Sequence, residues 1–114
     1  MKILLVEDDP IQRVALKSIL EKNNTVWDKE RPSDALGLKP DLAILDLMIE
    51  GDMSGIAFAK TLRHKSPETK IVIYTALTKG KHWRDAVEIA DHVIEKRDGI
   101  LSIEEALGRV IDGL

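Results

Sequence analysis

The chain has 114 residues, 44% hydrophobic and 32% charged, with a formal net charge of −3 and no cysteine. That length suits one domain around one core, expected to span 1–114 with no further domain, and the slight acidity offers no basic patch for nucleic acid. Absence of cysteine removes disulfides and thiol catalysis and fits a reducing compartment. No apolar stretch approaches the ~20 residues of a membrane span, and residues 1–7 lack the features of a signal peptide, so the expected location is cytoplasmic with no membrane partner.

Ile3-Leu4-Leu5-Val6 is a continuous apolar run that ends in Glu7-Asp8-Asp9, as expected of a strand buried on both faces. Asp9 before Pro10 is a helix entry. Ile11, Val14, Ala15, Ser18 and Ile19 then recur with helical spacing and read as the inward stripe of the first helix. Asn23-Asn24 closes it, and Thr25-Val26-Trp27 supplies a short second strand with Trp27 in packing. Residues 33–38 form a short helical candidate of about one and a half turns, halted by Gly37 and Pro40.

Leu42-Ala43-Ile44-Leu45 is the third strand, ending abruptly in Asp46. A Gly-containing loop over 50–54 leads into a helix over 55–62, with Ile56, Ala59 and Leu62 on one face. Ile71-Val72-Ile73-Tyr74, closed by Thr75, is the fourth strand. Residues 83–90 read as a helix with Ala86, Val87 and Ala90 inward. Val93-Ile94 is a fifth strand, followed by Glu95-Lys96. Ser102-Ile103-Glu104-Glu105 has the spacing of a capping box, and Ile103, Ala106, Leu107, Val110 and Leu114 mark a last amphipathic helix. Apolar strands alternating with helices predict a doubly wound α/β domain with a parallel sheet covered on both faces.

Such sheets place their chemistry at the carboxyl ends of the strands. There the sequence sets Glu7-Asp8, Asp46, Thr75 and Lys96. A carboxylate such as Asp46 can accept a phosphoryl group if the repulsion between anions is neutralised. Mg²⁺ held by the Glu7-Asp8 pair beside Asp46 would do that, while Thr75 bonds one phosphoryl oxygen and Lys96 neutralises another. Ala76 is small enough to leave an approach path. Taken singly, each has an ordinary explanation: a turn carboxylate, a strand threonine, a surface lysine. It is their joint occurrence at four strand ends that points to phosphoryl chemistry.

The stretches KILLVEDDP, PDLAILDLM, SGIAFAK, IVIYTA and ADHVIEK resemble the receiver domain of two-component response regulators along essentially the whole chain. The resemblance implies a flavodoxin-like five-stranded sheet of order 2-1-3-4-5. It implies that Asp46 takes phosphate from a histidine kinase or histidine phosphotransfer protein, with Thr75 and Lys96 at the hydroxyl and lysine positions. It further implies Mg²⁺ bound directly by Asp8, Asp46 and the Met48 carbonyl, with Glu7 acting through water. Phosphorylation would draw Thr75 inward, and a downstream protein partner would read the surface of the fourth helix, fifth strand and fifth helix.

Several positions depart from the family pattern. The loop from Asp46 to Gly55 is one residue longer, Glu50 and Arg97 replace prolines, and Val93 stands where an aromatic lever is common. These departures motivate a second reading, a phosphorylation-independent scaffold that keeps the fold as a docking surface. A third class, an enzyme, is disfavoured. A Mg²⁺-dependent phosphatase would call for an acid where Met48 stands, and a flavin phosphate would be repelled by Glu7-Asp8-Asp9. Catalysis beyond the chain's own phosphoryl transfer and dephosphorylation is not expected. His64, His82 and His92 lack metal-ligand spacing, Trp83 reads equally as partner contact or packing anchor, and Arg63-His64-Lys65 reads as a solvated helix end.

Overall fold

The computed structural model describes residues 1–47, 54–76, 79–96 and 100–114. Met48, Glu50, Leu77 and Arg97 lie outside them. Five parallel strands, β1 (Lys2–Val6), β2 (Thr25–Lys29), β3 (Leu42–Asp46), β4 (Lys70–Thr75) and β5 (His92–Glu95), form one sheet of order β2-β1-β3-β4-β5. The helices are α1 (Pro10–Leu20), α2 (Gly55–Lys65), α3 (Lys81–Ile89) and α4 (Ile100–Asp112). This is the predicted doubly wound architecture.

Side chains alternate across each strand, so each apolar run divides between two cores. Leu4, Val6, Ala43, Leu45, Ile71 and Ile73 pack with Ile56, Phe58, Ala59 and Leu62 of α2 and Ala86 of α3. Ile3, Leu5, Leu42, Ile44, Val72, Tyr74 and Ile94 pack with Leu16 and Leu20 of α1 and Ile103 and Leu107 of α4. Both faces of the sheet are therefore dry, as continuous apolar strands require.

Four details differ from the sequence reading. In α1 the inward residues are Leu16 and Leu20, whereas Ile11 and Val14 are 82% and 65% exposed. The packing face begins on polar Gln12, one turn before Leu16, and that is why hydrophobic periodicity alone selects the wrong stripe. The helical candidate after β2 is a single 3-10 turn, Pro32–Ala35. In α3, Ala86 is buried but Val87 is exposed. Finally, α4 starts at Ile100, so the capping-box residues 102–105 lie inside the helix, and Leu114 lies beyond its end and is exposed. The entries of α1 and α2 match chemistry that is visible in sequence. Asp9 caps α1 through the Ile11 N–H at 3.0 Å with Pro10 in the first turn, and Ser54 caps α2 through the Ala57 N–H at 3.1 Å.

Arg63 is not a solvated helix end. Its guanidinium donates to the Thr69 carbonyl (3.1 Å), the Ile89 carbonyl (3.1 Å) and Asp91 Oδ2 (2.8 Å), tying α2 to the start of β4 and the end of α3. Asp91 also accepts the Ile71 N–H at 2.8 Å. Burial works against its charge, but these donors outweigh that and hold its carboxyl below the usual range. Arg63→Met keeps the stem and removes the donors. It should lower unfolding stability in urea by roughly 2 kcal/mol, and a loss within the noise of the measurement would show the clamp to be dispensable.

Candidate phosphoacceptor and metal site

The same alternation that builds the two cores builds the site. Glu7 continues the parity of Ile3 and Leu5, Asp46 that of Leu42 and Ile44, and Lys96 that of Ile94, whereas Tyr74 is itself a member of that core. Asp46 and Tyr74 are register partners, as are Tyr74 and Ile94. Four functional groups from four neighbouring strands thus meet on the α1/α4 side of the sheet at its carboxyl edge.

Lys96 Nζ lies 2.8 Å from Asp46 Oδ2, 3.3 Å from Gln12 Oε1 and 4.6 Å from the centre of the Tyr74 ring. Carboxylate oxygens of Glu7, Asp8 and Asp46 lie within 4.8 Å of one another. Glu7 is fully buried, Asp46 is 7% exposed and Asp8 is half-buried. Three acidic groups at this separation suit a hard divalent cation that prefers carboxylate oxygen. The residues present fit Mg²⁺. The carbonyl of Met48, implied as a further ligand, lies outside the described residues.

Thr75 ends β4 and is fully buried, with its backbone carbonyl accepting the Lys96 N–H at 2.8 Å. Its side chain, which the sequence reading has a phosphoryl group drawing inward, is out of solvent in this structure. Ala76, next in the chain, is exposed. Gly55 packs against the end of β3, since a Cβ there would sit 2.5 Å from the Asp46 carbonyl oxygen. Only glycine lets the first turn of α2 approach the end of β3 this closely.

Two groups escape the sequence reading. The Tyr74 hydroxyl donates to Glu7 Oε1 at 2.8 Å, and Gln12 reaches Lys96 from α1. The sequence signal for Tyr74 was its phenol, since a buried tyrosine hydroxyl needs an acceptor. Glu7 is further fixed by Asp9 N–H on Oε2 (3.3 Å) and by Arg13 Nη1 on its carbonyl (2.9 Å). Burial pushes the Glu7 carboxyl up to about 7, the Tyr74 hydrogen bond works the other way, and the Asp46 charge adds to the rise. Burial first, and then the Glu7 charge, drives the Tyr74 phenol well above its ordinary range, so it remains a hydroxyl donor.

The Glu7 shift has a direct consequence for stability. Its folded value lies above the ordinary 4.5, so the native state holds a proton that the unfolded chain releases. The contribution is complete below about pH 4.5 and is lost as pH rises to about 7. Glu7→Gln should therefore gain on the wild type by roughly 1–3 kcal/mol between those limits without divalent cations. Denaturant unfolding at several pH values checks this, and parallel curves for the two proteins would contradict it.

The family model described as response regulator receiver domain matches residues 3–107. Transcriptional regulatory protein ComA of Bacillus subtilis is 25% identical over 98% of this chain and 56% of its own length. Response regulator protein VraR of Staphylococcus aureus is 26% identical over 99% and 57%. The chain thus spans little more than half the length of these relatives. Among solved structures, a CheY-like receiver domain from Methanospirillum hungatei superposes with a TM-score of 0.83 at 22% identity, covering 98% of this chain and 94% of its own. The response regulator TrrA from Thermotoga maritima, in complex with Mg²⁺ and a beryllofluoride, gives 0.78 at 28% identity, covering 96% and 97%. With a matching sheet order and a family match over nearly its whole length, the chain belongs to the response regulator receiver domain family of two-component systems.

Proposed function

We propose that the chain is a phosphoacceptor receiver in which Asp46 takes a phosphoryl group from a phosphohistidine of a histidine kinase or histidine phosphotransfer protein. The observation that carries this reading is the single cluster in which Glu7, Asp8 and Asp46 lie within 4.8 Å of one another with Lys96 2.8 Å from Asp46. An Asp46 oxygen forms the new O–P bond as the histidine N–P bond breaks, and the proton balance is completed on the leaving imidazole. Mg²⁺ would neutralise charge on the transferring phosphoryl group, held by Asp8 and Asp46 with Glu7 beside them. Lys96 supplies a cation to a phosphoryl oxygen and Thr75 a hydroxyl. The chain performs its own phosphoryl transfer and dephosphorylation and is not otherwise an enzyme.

Output passes to a protein partner over the surface of α3, β5 and α4, the fourth helix, fifth strand and fifth helix of the family. Exposed Val87 and half-buried Trp83 on α3 support that assignment. Val93 favours the second reading, a scaffold indifferent to phosphate. It is an aliphatic side chain packed against the core where the family commonly places an aromatic lever. With acetyl phosphate and Mg²⁺, the wild type should become labelled and Asp46→Asn should not. Equal labelling of both would end the phosphoacceptor assignment, and labelling without spectral change would favour the scaffold.

The donor protein docks beside α1. Gln12 touches Lys96, so the first turn of α1 borders the site, and Ile11 and Val14 next to it are apolar and exposed. Ile11→Ser with Val14→Ser should slow phosphotransfer from a phosphohistidine protein by roughly tenfold or more and leave labelling by acetyl phosphate intact. Equal slowing with both donors would contradict this docking role.

A further inference from the structure

One residue joins Glu7, Lys96 and the backbone beside Asp46 yet has no role in the phosphoryl transfer described above. Tyr74 is the single tyrosine of the chain and is fully buried. Its hydroxyl donates to Glu7 Oε1 at 2.8 Å, and its ring lies 4.6 Å from Lys96 Nζ. Its backbone pairs in register with Asp46, and its carbonyl accepts the Leu47 N–H at 3.2 Å, just beyond Asp46. A residue serving only the core could be leucine or valine, like its neighbours on the same face. A phenol adds an oxygen that must find an acceptor in a dry place, and the acceptor is a carboxylate of the acidic cluster.

We propose that Tyr74 is a positioning residue that orients two charges for phosphoryl transfer: its hydroxyl fixes the Glu7 carboxylate toward the cation, and its ring seats the Lys96 ammonium against Asp46. The inference rests on the phosphoacceptor reading and goes beyond it. With Oε1 taken by the phenol and Oε2 by the Asp9 N–H, Glu7 cannot rotate freely, so it presents a fixed edge to Asp8 and Asp46. Outer groups that orient metal-binding carboxylates tune metal affinity in this manner. The ring face offers Lys96 a cation–π contact and leaves its N–H donors directed to Asp46 and Gln12. Hydroxyl and ring therefore serve different partners and separate experimentally.

The test uses the wild type, Tyr74→Phe, Tyr74→Leu and Asp8→Asn. Tyrosine labelled with ¹³C at Cζ gives one NMR resonance in the wild type, because there is one tyrosine. On titration with MgCl₂ that resonance should move, saturating with the Kd measured by calorimetry. Tyr74→Phe should bind Mg²⁺ roughly tenfold or more weakly, yet at saturating Mg²⁺ it should bind beryllofluoride like the wild type. Tyr74→Leu should lose beryllofluoride affinity as well. A loss of packing alone would shift both affinities together, in step with stability. A stationary resonance in the wild type, or wild-type Mg²⁺ affinity in Tyr74→Phe, overturns the proposal while Mg²⁺ binding abolished by Asp8→Asn keeps the phosphoacceptor reading. Absence of Mg²⁺ binding in the wild type and Asp8→Asn alike overturns the metal reading and the positioning role with it.

Discussion

A carboxylate is taken fully out of water beside two others, and the carboxyl end of the sheet is arranged around that fact. Glu7 is buried within reach of Asp8 and Asp46, an arrangement that isolated charges do not tolerate. The Tyr74 hydroxyl and the Lys96 ammonium on Asp46 offset it, and burial raises the Glu7 carboxyl above its usual range. A divalent cation is the remaining element that such a cluster would welcome. Repulsion within the cluster is what a bound divalent cation would relieve.

The register of the parallel sheet is what makes this concentration possible. β1, β3, β4 and β5 each lead into one group on the same face at their carboxyl ends, so a slip of one residue in any of them would carry its group to the opposite core. The two apolar layers that lock the register are therefore part of the chemistry. The approach of Gly55 to the Asp46 carbonyl and the clamp of Arg63 on Asp91 hold α2 and β4 in the places that the register demands.

Much of this was legible in the sequence because its signals are local. Continuous apolar runs ending in polar residues define strands and their functional ends, and Glu7, Asp8, Asp46, Thr75 and Lys96 each stand at such a boundary. What was not legible depends on partners distant in the chain. Arg63 looks like any cation at a helix end until Asp91 is brought to it. Gln12 breaks the hydrophobic stripe of α1 because it faces Lys96, 84 residues later. The stretch after β2 carries helix-forming residues, but Gly37, at a φ of 91°, and Pro40 leave room for only a 3-10 turn. Tyr74 reads as a strand aromatic, and its hydroxyl acquires meaning only when Glu7 comes within 2.8 Å.

That 3-10 turn has an effect on motion as well as on shape. β2 is one edge of the sheet, pairs with β1 alone, and has no fully buried residue; Asp28, reached by Lys17 at 3.0 Å and by Arg13 at 3.7 Å, fastens it to α1. A thinly covered edge without fully buried residues is the kind of segment that opens locally at low free energy, before the whole domain unfolds. Its last carbonyl, that of Lys29, accepts the N–H of Glu7 at 3.0 Å. Each transient opening of the edge therefore releases the backbone of the first acidic residue in the site, and fraying at one margin of the sheet is coupled to the order of the charges at its centre.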